Sequence, residues 1–373
     1  MNDIIESTKQ YEKWLREQTD VSEKLIERKH RKMGDSPFEF LRATFYRWVE
    51  LWPEVCPQLA GRDQDVLLAV GDLHTENFGT WRDSRERLVW GMNDFDEACE
   101  LPLTSDLVRL GTSAILAVEA GHLTTSLKKI FDVMLKGYRA CLKAGGKPVL
   151  LGGGSTDYPF ALPPGEPEEP GEFWKKKLDE EDFPVVDEID LPPAVVGLFR
   201  ASFPVGTKLE FRKQKKPGGL GSLGRHRFTA VTGKKEERVA REVKALVPSA
   251  LYWVKKQPHR LSQTASLLQR AIRDPDPYFL IQDQWMLRQL APDAIKIKLD
   301  ELPAVTDGNA WEVPLFQAMG WETANIHLGS RSPRALGEAL DALASEEGDN
   351  WLSEAAEAMV ATVREDFKAW PKT

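Results

Sequence analysis

Apolar side chains recur at helical spacing along the first fifty residues of the chain. Between Phe38 and Val49 they repeat every three or four positions, which is typical of a helix with one buried face. Ser36-Pro37 directly before them predicts a helix start, because serine caps free N–H groups and proline fits the first turn. We therefore predict a helical region over residues 4–51.

Two short apolar runs follow, and both end at acidic side chains. Residues 65–71 end at Gly71-Asp72, and residues 87–90 end close to Asn93-Asp94. Short apolar runs bounded by turn residues are typical of buried strands. Because both predicted strands end in carboxylates, the pattern indicates a site at their ends. Helices are predicted over residues 107–117 and 127–142.

The pattern changes after residue 145. Three consecutive glycines, a proline-rich stretch and an acidic stretch predict a linker or flap. Short apolar runs between residues 209 and 290 predict a small sheet with one helix at 262–273, and the tail from 311 is helical again. We therefore divide the chain at residues 1–150, 151–200, 201–300 and 301–373.

Length and composition favour a folded protein with a cleft. A chain of 373 residues exceeds the usual size of one compact core, so we expect two lobes. The chain is 42% hydrophobic and 29% charged, which is ordinary for a globular protein. A net charge of −8 argues against an extended nucleic-acid-binding surface.

Cysteine usage and the N-terminus favour a cytoplasmic location. Cys56, Cys99 and Cys141 are widely spaced and odd in number, which predicts neither a disulfide framework nor a zinc site. Residues 1–20 are polar and lack the apolar region of a signal peptide, and no stretch approaches the roughly 20 apolar residues of a membrane span. We expect no membrane partner.

The most informative polar residues lie at the ends of the two predicted strands. Phosphoryl transfer needs a carboxylate that orients or deprotonates the acceptor, and an Asn and an Asp that hold Mg²⁺ against the triphosphate. Asp72 and Asn77 have the D-x-x-x-x-N spacing of the kinase catalytic loop, and Asp94-Phe95-Asp96 takes the place of D-F-G. The spacing predicts Asp72, His74 and Asn77 as catalytic residues and Asn77, Asp94 and Asp96 as metal ligands.

These motifs resemble the aminoglycoside and choline phosphotransferase branch of the protein-kinase-like superfamily. The pattern of that branch is H-G-D-x-H-x-x-N, then I-D-F-x-x-A, then a later D-L. The chain departs from it at Val70 and Asn93, which affects loop support rather than the metal ligands. The resemblance implies a phosphotransferase that uses ATP and Mg²⁺. The matching positions are Gly71, Asp72, His74, Asn77, Asp94, Phe95, Ala98, Asp106 and Leu107.

A closer resemblance, to the bacterial domain-of-unknown-function family 2252, covers most of the chain. That family is grouped with kinase-like folds, and its substrate is not established. The chain departs from it at Ala245, where Glu usually follows the lysine, and in a shortened region around Arg273. The shared features are Lys32-Met33, Ser36-Pro37-Phe38, Arg42, Gly71-Asp72-x-His74, Asn77-Phe78-Gly79, Asn93 to Glu97, Asp106-Leu107-x-Arg109-Leu110, the Gly219 to Gly224 motif, Val243-Lys244 and Arg288-Gln289-Leu290.

Gly219-Leu-Gly-Ser-Leu-Gly224 fits G-x-G-x-x-G, whose glycines let backbone N–H groups approach phosphates. A Rossmann unit would need a helix after the last glycine and an acidic residue about 20 positions on, but a strand is predicted at 225–231 and residue 244 is lysine. Strand, glycine loop, strand and then lysine is the order of the kinase small lobe. The nucleotide-binding residues assigned on this basis are Gly219, Gly221, Ser222, Gly224 and Lys244, with Gln289 added.

The glycine motif follows the catalytic motif, whereas a standard kinase has the reverse order. If both assignments hold, the fold is an α+β, two-lobed, protein-kinase-like fold that is circularly permuted, with a helix-rich large lobe and a small antiparallel-sheet lobe. Residues 1–150 then carry the catalytic and metal loops, 151–200 form a linker or flap, 201–300 form the nucleotide-binding lobe, and 301–373 return to the large lobe.

Several of these residues have a second interpretation. Asp and Asn are also common turn and cap residues. Asp96 is either a metal ligand or a loop-stabilising acceptor, and His74 is either an acceptor contact or a hydrogen-bonded core histidine. Lys244 is either a phosphate ligand or a surface lysine, and its usual Glu partner is missing because residues 262–273 contain no acid. We expect Asp106 to hold the catalytic loop, with a helix N-cap as its alternative, and His327 to be a core or loop-support residue.

The motifs favour a phosphotransferase over two alternatives. A metal-dependent phosphohydrolase also needs G-D-x-x-G and G-N-H-[DE] segments, and neither occurs in the sequence. A catalytically silent nucleotide-binding module is favoured by the missing partner of Lys244 and disfavoured by the three catalytic-type residues. The sequence does not decide whether the acceptor is a small hydroxylated or amino metabolite or a protein side chain. It also leaves open whether a phosphoryl or a nucleotidyl group is transferred. It indicates no oligomeric state.

Overall fold

The computed structural model describes residues 2–151, 169–215, 220–222, 224–234, 237–257, 261–302 and 311–371. These residues form an α+β fold, as the sequence predicts. The helices are α1 Ile4–Gln18, α2 Glu23–Met33, α3 Pro37–Ala43, α4 Phe45–Val55, α5 Pro57–Ala60, α6 Leu103–Glu119, α7 Leu127–Ala144, α8 Pro170–Lys177, α9 Pro193–Ser202, α10 Ala250–Val254, α11 Thr264–Arg270, α12 Glu312–His327, α13 Pro333–Glu347 and α14 Trp351–Ala369. The strands are β1 Val66–Ala69, β2 Phe78–Arg82, β3 Leu88–Met92, β4 Cys99–Pro102, β5 Val149–Leu151, β6 Val185–Val186, β7 Glu210–Lys213, β8 Arg227–Thr232, β9 Val239–Ala245, β10 Leu280–Gln282 and β11 Trp285–Leu290.

All strand pairs in these residues are antiparallel, and they form three sheets. β1 pairs with β4, β2 and β5 flank β3, and a six-stranded sheet has the order β10-β11-β9-β8-β7-β6. The two small sheets carry the loops with the predicted catalytic and metal residues. The six-stranded sheet carries Lys244.

All described helices except α8 and α9 pack into one large apolar cluster around the two small sheets. α7 packs against α12, and α6 packs against α14. Trp52, Trp90 and Phe316 are among its largest fully buried side chains. This cluster contains residues of the first 150 positions and of the C-terminal helices. Among the described residues, no helix is long and apolar enough to cross a membrane.

The six-stranded sheet has its own smaller apolar clusters. On one face, α9 packs Val195 and Phe199 against Val243 and Leu287. On the other face, α8 packs against Val231 and Ala240 at one end of the central strands. Glu242 and Lys244 share this second face, because side chains alternate along a strand. α8 therefore leaves the Lys244 end of that face open to the helical part of the protein.

The second half of the predicted linker or flap, 151–200, contains regular secondary structure. α8 and α9 lie in this segment, with β6 between them. The proline-rich part of the prediction, 152–168, lies outside the described residues. Prolines suggested a linker, but Pro170 and Pro193 occupy the first turns of helices, where the missing N–H costs nothing.

Candidate functional site

The loop that follows β1 is held by a buried hydrogen-bond network. Asp106, in the first turn of α6, accepts hydrogen bonds from the backbone N–H groups of Val70 at 2.8 Å and Gly71 at 2.9 Å. Nε2 of His327 lies 3.0 Å from the Asp106 carboxylate, and the Tyr138 hydroxyl lies 2.7 Å from Nδ1 of the same ring. Asp106 and His327 therefore support the loop, as expected.

Asp72 in this loop is bound by Arg109, which the sequence left without a role. Arg109 Nε donates to Asp72 Oδ1 at 2.9 Å, and Nη2 donates to the same oxygen. The guanidinium is fully buried, 5.1 Å from the Phe45 ring and 4.9 Å from the Trp48 ring. Burial raises the pKa of Asp72 to about 6, although the charge of Arg109 opposes this rise.

The other predicted catalytic residues of the loop form hydrogen bonds to each other. Asn77 Oδ1 accepts from the His74 N–H at 3.1 Å, and Asn77 Nδ2 lies 3.5 Å from the Asp94 carbonyl oxygen. His74 Nδ1 accepts from the Glu76 N–H at 3.2 Å. Burial holds the pKa of His74 well below its usual range, so the ring is neutral. His74 is a hydrogen-bonded buried histidine that also lines the pocket, so both interpretations of it stand.

Lys244 meets the predicted metal loop. Its Nζ lies 3.3 Å from Asp94 Oδ1 as a hydrogen bond and 2.5 Å from Asp96 Oδ1 as an ion pair without hydrogen-bond alignment. Lys244 is 2% exposed, which excludes a surface lysine. Burial would raise the pKa of Asp94, but the charges of Lys244 and then Lys296 outweigh it and hold this pKa well below its usual range. Asp94 is therefore a carboxylate.

Asp96 is occupied by cations on both oxygens. Arg225 Nη1 lies 3.3 Å from Asp96 Oδ2, opposite the Lys244 contact. Arg225 also lies 3.9 Å from Glu97, and both acids are buried. This arrangement favours the loop-stabilising interpretation of Asp96 over a metal ligand.

The glycine motif is only partly placed at the site. The turn Leu220–Ser222 lies over Asp72, and a Cβ added at Gly221 would be 3.1 Å from Asp72 Oδ2. Ser222 Oγ accepts from Arg227 at 2.5 Å. Gly224 instead lies against the Ile26 side chain of α2. Gly219 lies outside the described residues.

The structure does not bring Gln289 to the site. Gln289 of β11 is opposite Arg241 of β9, whereas its neighbour Arg288 is opposite Glu242. Cross-strand partners share a face and successive residues alternate, so Gln289 and Lys244 lie on opposite faces. Arg288 lies on the Lys244 face and forms an ion pair of 2.8 Å with Glu242. The prediction was therefore one position away from the residue on the correct face.

The Asp72 loop, the Asp94 loop and the turn Leu220–Ser222 line a small pocket. Its volume is about 20 Å³, which is room for one water-sized group rather than a nucleotide. Four charged lining residues were not predicted as site residues: Arg42, Glu97, Arg225 and Lys296. The full lining is Arg42, Val70, Asp72, His74, Asn77, Asp94, Asp96, Glu97, Leu220, Gly221, Ser222, Arg225 and Lys296.

The residues fit a magnesium ion in part. Within the described part of the chain, no group of three or more His, Cys, Asp or Glu side chains is placed to hold a metal. Mg²⁺ is commonly bound through one or two carboxylates with waters and substrate phosphates completing its coordination. Asp94 and Asn77 would supply the oxygen donors of such a site, where Asn77 Oδ1 also accepts from the His74 N–H and Asp94 Oδ1 faces Lys244. Asp96 does not fit as well, because Lys244 and Arg225 already occupy its oxygens.

Comparisons with known proteins give one family match, over part of the chain. Residues 21–150 match a family model described as an uncharacterised protein conserved in bacteria (DUF2252). The match includes the Asp72 loop and the Asp94 loop, and it ends before the six-stranded sheet. No curated protein and no solved structure matches the chain.

Proposed function

We propose that the protein is an ATP- and Mg²⁺-dependent phosphotransferase of the kinase-like type, with an unidentified acceptor. One observation carries this proposal. Lys244 reaches across 150 residues of sequence to within 3.3 Å of Asp94, which lines the pocket, so that the predicted phosphate ligand and the predicted metal ligand are in contact. In kinases, the corresponding lysine and aspartate bind one triphosphate, the lysine directly and the aspartate through the metal.

The order of elements around Lys244 supports the same function. β7, the glycine motif, β8 and β9 follow each other, and Lys244 lies on the third of these strands. Protein kinases also have the glycine loop first and the lysine on the third strand of the small lobe. Here this series comes after the catalytic loop in the chain. The proposal therefore includes a circularly permuted, two-lobed kinase-like fold.

Nucleotide binding requires the turn Leu220–Ser222 to move. With the turn over Asp72, the pocket of about 20 Å³ is far too small for a triphosphate. Glycine loops that cover phosphates close on the ligand and open to release it. We therefore expect the turn to move away from Asp72 and the Lys244 ion pairs with Asp94 and Asp96 to rearrange when ATP binds.

Each proposed role follows from the position of the residue. Asp72 accepts the proton of the acceptor while the acceptor oxygen or nitrogen bonds to the terminal phosphorus of ATP. The bond between this phosphorus and the bridging oxygen breaks at the same time, and the electron pair of the broken bond stays on the ADP oxygen. Asn77 and Asp94 would hold Mg²⁺, which neutralises charge on the phosphates. Lys244 binds the α- and β-phosphates.

A catalytically silent nucleotide-binding module is the second candidate. α11 carries no acid, so Lys244 lacks the helical Glu partner of an active kinase and pairs with Asp94 and Asp96 instead. Arg109 also binds one oxygen of Asp72. Such a module binds ATP and does not turn it over.

Turnover of ATP labelled on its terminal phosphate tests the proposal. Asp94→Asn should abolish the Mg²⁺-dependent turnover, and Asp72→Asn should lower it by about 100-fold to 10,000-fold while ATP affinity stays within a few-fold. Asp132→Asn is the matched control, because Asp132 is 59% exposed in a surface pair with Lys128. Wild-type turnover in Asp94→Asn would refute the metal role. Binding without turnover in the wild type would identify the silent module.

A further inference from the structure

Lys296 enters the pocket from a segment that no motif singled out. The backbone on both sides of it is fixed to β2: Thr80 N–H donates to the Ile295 carbonyl at 2.8 Å, and Ile297 N–H donates to the Phe78 carbonyl at 2.9 Å. Lys296 itself is the bridge partner of Gly79. A segment held this closely to β2 gives the lysine a defined position in the wall of the pocket.

Gly79 is what permits this approach. A Cβ at residue 79 would overlap the carbonyl oxygen of Ile295 and the side-chain amide of Asn93. The glycine that ends the Asn77-Phe78-Gly79 motif therefore admits the segment carrying Lys296 next to the catalytic loop.

The other cations at the pocket are already paired with acids. Arg42 Nη2 lies 2.7 Å from Glu76, Arg225 pairs with Asp96, and Lys244 pairs with Asp94 and Asp96. Lys296, in contrast, forms no ion pair or hydrogen bond through its ammonium group to any described residue. Burial lowers its pKa, and the charge of Asp94 opposes this. Lys296 is partly exposed, and an ammonium group that lines this pocket without an acidic partner can donate charged hydrogen bonds to a bound anion.

Lys296 also acts electrostatically on both ends of the proposed reaction. Its charge is among those that lower the pKa of Asp94 and that oppose the burial-induced rise of the Asp72 pKa. All three side chains line the same pocket. Lys296 therefore shares one pocket with the carboxylates at the donor side and at the acceptor side of the proposed reaction.

We propose that Lys296 binds the phosphoryl group that is transferred, as a second phosphate-binding lysine besides Lys244. This inference rests on the proposed function. Negative charge on the equatorial oxygens of this group is present as its bond to the acceptor forms and its bond to the ADP oxygen breaks. Lys296 donates hydrogen bonds to these oxygens and stays protonated throughout, while Asp72 takes the acceptor proton.

Affinities for ATP and ADP separate this role from a general charge effect. Lys296→Met should weaken ATP binding about tenfold to a hundredfold, because it removes charged hydrogen bonds to the terminal phosphate, and should leave ADP within about twofold. Lys244→Met should weaken both nucleotides. Lys298→Met is the matched control, since Lys298 lies two residues away with a side chain 50% exposed. Isothermal titration calorimetry with Mg²⁺ measures all affinities, and Lys296→Arg should restore part of the loss for ATP.

Inorganic phosphate as a third ligand separates this inference from the proposed function. Equal losses for ATP and ADP in Lys296→Met, or no loss for either, would overturn the role of Lys296 even if the wild type turns ATP over. If the wild type binds phosphate through Lys296 but binds no nucleotide, the proposed function fails and the anion site stands. A wild type that binds none of the three ligands refutes both. Thermal unfolding of each variant verifies that the fold is retained.

Discussion

Replacing Arg109 tests whether the Asp72 loop depends on the buried ion pair beneath it. Arg109→Met keeps the length of the side chain and much of its contact with Phe45 and Trp48, but it leaves the Asp72 carboxylate buried without its cation. Breaking a buried pair on one side typically costs about 3–5 kcal/mol. The Leu41 carbonyl also loses its 2.9 Å hydrogen bond, worth about 1 kcal/mol. Together these two terms predict a loss of about 4–6 kcal/mol in the free energy of unfolding at pH 8.

The loss in the free energy of unfolding should be smaller at low pH, because Asp72 is then protonated and no longer needs the charge of Arg109. Without Arg109, the pKa of Asp72 rises further above its value of about 6. The native state of the variant then keeps the Asp72 proton to a higher pH than the unfolded state, so its stability falls as pH rises. At about pH 5 Asp72 is protonated and the unpaired charge disappears.

Urea denaturation of four proteins measures the effect. These are the wild type, Arg109→Met, Asp72→Asn and the double variant, for which we expect a coupling energy of about 1–3 kcal/mol. Arg139→Met is the control, because Arg139 pairs with Asp341 on the surface with side chains 46% and 71% exposed, and it should cost under about 1 kcal/mol. A loss below about 1 kcal/mol for Arg109→Met, or the same loss at both pH values, would refute the reasoning.

Two further predictions concern the support of the site. Gly79→Ala should lower the free energy of unfolding by about 1–3 kcal/mol, because the added Cβ overlaps the Ile295 carbonyl. Gly337→Ala is the control: this position on α13 has open space around it, so alanine should stabilise the protein by about 0.5–1 kcal/mol. Equal effects of the two substitutions in urea denaturation would contradict this prediction. Burial raises the pKa of Glu322 from 4.5 to about 7, so native Glu322 keeps its proton to a higher pH than Glu322 in the unfolded chain. The free energy of unfolding therefore falls by about 3 kcal/mol as the pH rises through these two values. Glu322→Gln should remove that part of the pH dependence, and an unchanged difference between about pH 5 and pH 8 would count against it.

The sequence predicted the elements whose signal is local. The helices at the N-terminus and in the tail follow from periodicity, and β1 and β3 follow from short apolar runs. β2 has no such run, since Phe78 is followed by Gly79, which leaves space for the backbone around Ile295. α9 has apolar residues at helical spacing, but Pro192-Pro193 at its start suggested a linker. Tertiary packing decided both cases.

The site was predictable where a motif is contiguous in sequence. Spacing predicted Asp72, Asn77 and Asp94 as one site, and the three residues line one pocket; Asp106 was correctly expected to support the loop. Arg109 was noticed as part of a motif, but its contact with Asp72 depends on how α6 packs beneath the loop. Lys296 has no local signal, because only the pairing of its segment with β2 brings it to the pocket.

Gln289 shows how a small error in register changes a prediction. The family feature Arg288-Gln289-Leu290 indicated that this strand contributes to the site. Along a strand, neighbouring side chains point to opposite faces, so a shift of one residue moves a side chain from the Lys244 face of the sheet to the opposite face. The pairing of β11 with β9 puts Arg288 on the Lys244 face and Gln289 on the other. No pattern within the sequence fixes this register.

The most direct test of the account is a crystal structure with Mg²⁺ and a non-hydrolysable ATP analogue. The account predicts the triphosphate between Lys244 and Asp94, the metal bound by Asp94 and Asn77, and the turn Leu220–Ser222 moved away from Asp72 to cover the phosphates. The space beside Asp72 would then show the size and polarity of the acceptor. A nucleotide bound elsewhere, or phosphates that contact neither Lys244 nor a metal at Asp94, would contradict the central claim that these two residues share one triphosphate.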